Sequence, residues 1–217
     1  MMLERERERV AAAARRLGAD GQVTGTAGNI SERAGELVAV TPTGARLEEL
    51  TAAEIAVVDL DGEQRDGELA PTSELGLHLG VYERYDAGAV VHTHAPFATA
   101  LACVLDELPV VHYQVLALGG AVRVAPYATF GTPELAQLTL EALEGRSAAL
   151  MANHGAIAYG PDLDVAMQQS ELLEWACRLY WHAAAVGAPR VLDASEQLDF
   201  FETVSRRGYG IKRRSGR

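Results

Sequence analysis

His92 and His94 close a short apolar run, Ala89-Val90-Val91-His92-Thr93-His94, and are followed at once by Ala95-Pro96. On a β-strand, residues i and i+2 share a face, so this spacing presents two imidazoles side by side, as a divalent first-row cation requires. His154, at the end of Leu150-Met151-Ala152-Asn153-His154-Gly155, is the best third ligand, and the glycine after it permits close backbone approach. Three neutral imidazoles suit Zn²⁺, with Mn²⁺ or Co²⁺ as alternatives, and they leave a coordination position open for substrate. The placement of the pair at a strand's end is where open α/β sheets carry their sites. His78, His112 and His182 fall in helical stretches or a short strand and read as packed or surface residues.

Upstream lies Pro71-Thr72-Ser73-Glu74. An acidic residue at a helix start complements the helix dipole, and taken alone Glu74 reads that way. Beside a metal it is also a carboxylate able to take a proton. The same helix start offers free N–H groups and two hydroxyls, which is how a phosphate is held without lysine. Gly25-Thr26-Ala27-Gly28-Asn29 and Thr41-Pro42-Thr43-Gly44 are further turns of small and hydroxyl-bearing residues. Each is an ordinary turn by itself. Together with a metal site they suggest an anion cradle suited to a phosphate ester.

The elements that must position these groups can be read from periodicity and punctuation. Leu3 to Leu17 is a helix stopped by Gly18 and Asp20-Gly21, and a glycine-rich loop follows. Strands are expected at Leu37 to Val40 and Ile55 to Leu60, with a turn at Asp61-Gly62 and a polar segment to Leu69. Helix Glu74 to Tyr85, strand Ala89 to His94 and helix Phe97 to Leu105 come next. Short strands follow around Val110 to Tyr113 and at Val122 to Val124, then helix Pro133 to Leu143 and strands Ala148 to Ala152 and Ile157 to Tyr159. Helices Leu163 to Val186 and Ser195 to Arg206 close the chain. Interleaved strands and helices predict a sheet covered by helices, in the α/β or α+β layer classes. No repeat or linker divides residues 1–217, so one domain is expected.

A formal charge of −11 argues against nucleic acid, which is bound chiefly through clustered Lys and Arg. The basic exception is the tail with Lys212, Arg213, Arg214 and Arg217. Lys212 is the sole lysine, a poor candidate for Schiff-base chemistry, so carbonyl activation falls to a metal. The N-terminus alternates Glu and Arg in place of an apolar leader, and no apolar run reaches membrane-spanning length, so a cytoplasmic protein with no membrane partner is expected. Cys103 and Cys177 read as buried free thiols. No Gly-x-Gly-x-x-Gly follows a strand, which removes a nicotinamide reading.

Read together, Gly25 to Ser31, Thr41 to Gly44, Pro71 to Glu74, His92 to Ala95, His112-Tyr113, Ala125 to Thr132, Asn153-His154-Gly155 and Tyr209 resemble, in order and spacing, the class II aldolase/adducin family. The resemblance spans nearly the whole chain. It implies a three-layer α/β/α domain with a central, largely antiparallel sheet, and Zn²⁺ on His92, His94 and His154, with Glu74 near or on the metal. It implies a phosphate site of Thr26, Asn29, Thr43, Gly44, Thr72 and Ser73, and a homotetramer with sites between subunits. The activity implied is cleavage of a ketose 1-phosphate, L-fuculose 1-phosphate or similar, to dihydroxyacetone phosphate and a small aldehyde such as lactaldehyde, through an enediolate. Glu74 would be the base, its pKa raised by burial. Tyr113, from a neighbouring subunit, would protonate the aldehyde oxygen, and Tyr209 would lie near the mouth of the site. Thr72 in place of serine, Asn153 in place of histidine and the arginine-rich end depart from the family pattern.

Within the same family, ribulose-5-phosphate 4-epimerase and methylthioribulose-1-phosphate dehydratase share the metal triad and are the alternative activities. The epimerase typically carries aspartate at the position of Glu74 and lacks the His112-Tyr113 pair. A non-catalytic, adducin-head-like interaction module is the remaining alternative, disfavoured because all three histidines and Glu74 are present.

Overall fold

The computed structural model describes residues 1–207. Among these residues nine strands form one sheet, ordered β4-β3-β2-β1-β5-β9-β8-β7-β6. The strands are β1 (Asn29–Ala34), β2 (Leu37–Val40), β3 (Ala56–Asp59), β4 (Gln64–Asp66), β5 (Ala89–Thr93), β6 (Glu107–Leu108), β7 (Val122–Ala125), β8 (Ala148–Met151) and β9 (Gly155–Gly160). Every neighbouring pair is antiparallel except β7 with β8, which agrees with the largely antiparallel sheet implied by the resemblance.

The helices are α1 (Glu4–Ala19), α2 (Leu75–Arg84), α3 (Pro96–Ala102), α4 (Pro133–Ala142), α5 (Leu163–Val186) and α6 (Ala194–Arg207). Strand β5 is buried on both faces, and its alternate residues separate two cores. Val90 packs with Leu77, Val81, Leu135 and Leu140 of α2 and α4. Val91 packs with Val10, Leu17, Ala166 and Met167 of α1 and α5. A third cluster seats α3 and the middle of α5 on β8 and β9, around Leu101, Leu150, Ala158 and Leu173. Three layers result, and His92 and His94 project with Val90 toward the α2 side, where Glu74 begins its helix.

Four sequence expectations need correction. Strand β1 lay hidden in the stretch read as loop, because it puts polar Asn29 and Ser31 into the interior. Strand β4 is an edge strand made of Gln64, Arg65 and Asp66, whose polarity masks it and suits an unpaired edge. Val110 to Tyr113 is not a strand: the ladder ends at Leu108, the Val111 N–H donates to Pro109 O at 2.9 Å in a tight turn, and a 3-10 segment runs from Tyr113 to Leu118. His112 therefore caps that segment, its Nδ1 accepting from Gln114 N at 3.2 Å. Finally, Cys177 is buried as expected but Cys103, at the C-terminal end of α3, is exposed.

Candidate metal centre and active site

The antiparallel register pairs His92 with Ile157 and Thr93 with Ala156, so β5 and β9 together carry the imidazoles. His154 stands in the β8–β9 turn, held by its N–H donating to Met151 O at 3.1 Å. The residue before it, Asn153, has φ 54°, a left-handed conformation that asparagine tolerates better than most side chains. Its departure from the family pattern thus suits the turn. Gly155 lets the strands close: a Cβ there would run into Thr93 O and meet the His94 ring at 3.0 Å.

Each pair of rings among His92, His94 and His154 has its centroids 4.9 or 5.0 Å apart, and one ligating atom from each falls within 4.8 Å of the others. The Nδ1–H of fully buried His92 donates to Ala156 O at 2.9 Å, which turns its Nε2 toward the cluster. That nitrogen sits 3.1 Å from His94 Nε2, close to the ~3.3 Å that separates two nitrogens on a tetrahedral ion. Burial, with repulsion from His92, pushes both His94 and His154 down to about 4, so they are neutral near pH 7, as ligands must be.

Glu74 completes the cluster. It stands at the N-cap of α2, yet its carboxylate makes no capping bond. Oε2 lies 3.2 Å from His92 Nε2 and Oε1 lies 3.4 Å from His154 Nε2. Oε2 also accepts from Asn29 Nδ2 at 2.8 Å, whereas Oε1 is buried with no hydrogen-bond partner among the described residues. Convergent ring nitrogens and a carboxylate oxygen with no hydrogen-bond partner among the described residues together form a donor set that fits a divalent cation. The expected rise of the Glu74 pKa is corrected: burial does act to raise it, but attraction and hydrogen bonding from His92, with Asn29 and His154, prevail and hold the carboxyl well below the usual range.

A cavity of about 480 Å³ opens beside the triad, lined by Thr26, Thr43, Gly44, Ser73, His94, Tyr127, Phe130, Asn153 and His154 among others. The turns carrying its hydroxyls are pinned together: Pro42 bridges Pro71, Thr43 N donates to Ala70 O and Thr72 N to Thr41 O, both at 3.0 Å. Of the residues expected around a phosphate, Thr26, Thr43, Gly44 and Ser73 line this cavity. Buried Thr72 instead accepts the Glu74 N–H at 3.2 Å, and the Asn29 side chain is engaged by Glu74 and by His78. Tyr127 and Phe130, both largely exposed, were not singled out from sequence. No spacing marks them, since they sit in an irregular segment between β7 and α4. Tyr113 is half exposed, packs on His112 and Phe200, and is absent from the lining. Tyr209 and the basic tail lie outside the described residues.

Metal-assisted carbon–carbon lyases are the class of protein that this fold and this site define, since an imidazole triad beside an ionised carboxylate suits proton transfer at a carbon next to a polarised carbonyl. The chain belongs to the class II aldolase family: the family description "Class II Aldolase and Adducin N-terminal domain" matches residues 8–181. It is 38% identical over 213 residues to a 5-deoxy-D-ribulose 1-phosphate aldolase of Bacillus thuringiensis serovar kurstaki, covering 97% of this chain and 99% of that one. It is 43% identical over 196 residues to a 5-methylthioribulose-1-phosphate/5-deoxyribulose-1-phosphate aldolase of Rhodospirillum rubrum, covering 88% of each. A solved L-fuculose 1-phosphate aldolase superposes with a TM-score of 0.88 at 36% identity, over 93% of this chain and 96% of that structure. The chain is accordingly an aldolase and a lyase. Those relatives are aldolases by name, which sets aside the epimerase, the dehydratase and the non-catalytic module as first readings.

Proposed function

We propose that this enzyme is a zinc-dependent aldolase that cleaves a ketose 1-phosphate with a deoxygenated far end, 5-deoxyribulose 1-phosphate ahead of L-fuculose 1-phosphate. The observation that carries the chemistry is the Glu74 carboxylate lying against His92 and His154, with His154 and His94 lining a cavity that Thr26, Thr43 and Ser73 also line. His92, His94 and His154 are the ligands, and a cation held there supplies Lewis-acid charge opposite the negative charge that develops on the substrate carbonyl oxygen.

Thr26, Thr43, Gly44 and Ser73 bind the phosphate through hydroxyls and main-chain N–H groups, which suits a chain of net charge −11 that spends no lysine on it. Cleavage breaks the C3–C4 bond; the C4 hydroxyl loses its proton as the aldehyde forms, and C3 gains one to become dihydroxyacetone phosphate. Glu74 delivers the proton to C3 and removes it in the condensing direction. Tyr113 of a neighbouring subunit in a homotetramer exchanges the proton on the aldehyde oxygen. Tyr127 and Phe130 give the cavity aromatic walls, which favour a methyl or thioether end over a hydroxylated one. Two relatives covering 97% and 88% of the chain, whose names specify 5-deoxy and methylthio sugars, support placing the 5-deoxy sugar first.

The test is dihydroxyacetone phosphate release from each of the two sugar phosphates by zinc-loaded protein, with and without chelator. Release that chelator stops, faster from the 5-deoxy sugar, is the expected result. Release untouched by chelator after the metal has been stripped overturns the metal role, and faster turnover of L-fuculose 1-phosphate overturns the substrate order.

A further inference from the structure

Glu74, His78 and Tyr82 stand four residues apart on one stripe of α2, and Asn29 and Ser31 stand two apart on one face of β1. Four helical residues advance about 6.0 Å and two strand residues about 6.6 Å, so the two rows run nearly in step. They interlock in a continuous hydrogen-bond chain. Tyr82 OH meets Ser31 Oγ at 2.6 Å, Ser31 Oγ meets His78 Nδ1 at 2.7 Å, His78 Nε2 meets Asn29 Oδ1 at 2.5 Å, and Asn29 Nδ2 donates to Glu74 Oε2 at 2.8 Å. All five residues are buried, Ser31 and His78 completely.

The proton positions along this chain are dictated from its acidic end. A carboxylate only accepts, so the Asn29 amide nitrogen must face Glu74 and its oxygen must face His78. His78 then carries its proton on Nε2, Nδ1 accepts from the Ser31 hydroxyl, and Ser31 accepts from Tyr82. Burial, reinforced by His92 nearby, holds His78 neutral, its pKa pushed down to about 3, which is the state the chain requires. Every bond therefore points one way, toward Glu74 Oε2, and bonds aligned in this manner polarise one another.

We propose that Asn29 and His78, backed by Ser31 and Tyr82, are positioning residues that hold Glu74 by Oε2 and so leave Oε1 as the oxygen that exchanges the proton with substrate carbon. The proposal deepens the reading of Glu74 as the carbon acid/base and rests on it. Among the described residues Oε1 is the oxygen with no hydrogen-bond partner, while Oε2 is already engaged by Asn29. Without the chain, the carboxylate is free to rotate, and proton transfer loses its fixed geometry. Asn29 thereby takes a role that its place in a glycine-rich turn did not suggest.

The test pairs His78→Leu, which removes the donor to Asn29, with His78→Gln, whose amide N–H can replace it. Three quantities are read on zinc-loaded protein: bound zinc, KM and kcat for the sugar phosphate, and exchange of the carbon-bound hydrogen of dihydroxyacetone phosphate in D₂O. The expected result for His78→Leu is unchanged zinc and KM, with kcat and exchange both down on the order of 10- to 100-fold. His78→Gln should recover most of that loss. Unchanged kcat in His78→Leu, a rise in KM in place of the fall in kcat, or equal losses in both variants overturns the proposal. Wild-type protein labelled with ¹⁵N-histidine supplies a readout that needs neither a stable variant nor turnover. His78 should appear as the neutral Nε2–H tautomer from mildly acidic to mildly alkaline pH, and an Nδ1–H tautomer or an imidazolium overturns the direction of the chain. If wild-type protein shows that tautomer but neither cleaves nor exchanges, the reading of Glu74 fails and the chain's geometry stands.

Discussion

Glu74 illustrates how far a residue can be read from its neighbours in sequence and where that stops. Its place at a helix start predicts a dipole partner, and it does occupy the N-cap, but its carboxylate turns away from the helix toward His92 and His154. Only the resemblance, with its ordered set of short motifs, could point the side chain there. Its ionisation was misjudged because burial was weighed without the imidazoles that outweigh it. Glu74→Gln keeps the volume and an acceptor while removing the exchangeable proton. Zinc content should persist, and exchange at the carbon of dihydroxyacetone phosphate should fall by about 10² to 10⁴, as for loss of a general base. Near-normal exchange would make Glu74 only a helix-start residue. The histidines carry a second consequence, visible in metal-free protein. His94 and His154 titrate near pH 4 when folded against 6.5 as free groups, and His78 near 3. The unfolded chain therefore binds more protons than the folded one between those values, so stability present above pH 6.5 is lost as pH falls toward 4 and 3. Denaturant midpoints stepped through this window should drop with acid, and a midpoint that held level would mean the imidazoles are not buried as described.

At the scale of elements, apolar periodicity was a sufficient guide wherever an element buries its own side chains. Helix α5 matches its expected span of Leu163 to Val186, and β5, β8 and β9 lie where their Ala, Val and Leu runs predict. It failed for β1, whose inward face is Asn29 and Ser31, because a strand that carries a polar network to a helix does not alternate like a core strand. The element that positions Glu74 was thus the one least visible in sequence. The β5–β9 pair offers the sharper test, since a single atom limits how closely the strands approach. In Gly155→Ala the new methyl would press on Thr93 O and the His94 ring, so either the ladder opens or the ring moves. Overpacking of this kind costs about 1 to 3 kcal/mol. Zinc affinity should fall along with thermal stability, whereas Asn153→Gly, at a left-handed position glycine accepts, should leave both nearly unchanged. Calorimetry with zinc titration separates the two, and a Gly155→Ala protein that melts and binds zinc like wild type would refute the close approach of β5 and β9.

At the scale of the whole molecule, the described residues present an aromatic surface that none of them covers. Tyr113, Trp175, Trp181 and Phe201 are each at least two-fifths exposed; Tyr113 and Trp175 pack on His112, the latter edge-on, and Phe200 packs on Tyr113, forming one patch on the 3-10 segment, α5 and α6. Composition gave no sign of this, because the same residues on helix α5 satisfy an amphipathic pattern whichever chain they meet. Tyr113 belongs to that patch and not to the lining of the cavity in its own chain. If it acts in catalysis, it acts on a neighbour, and a closed ring of copies supplies that neighbour by a heterologous contact. The arrangement predicts complementation. Tyr113→Phe and Glu74→Gln proteins, each nearly inactive alone, should regain activity when unfolded together and reassembled, because about a quarter of the sites in randomly mixed rings receive an intact glutamate and an intact tyrosine from different chains. Each chain keeps its own His92, His94 and His154, so zinc content should not change on mixing. Activity that stays at the level of the two separate variants would place Tyr113 outside the neighbour's chemistry, and retention of full activity by Tyr113→Phe alone would remove the tyrosine from the mechanism.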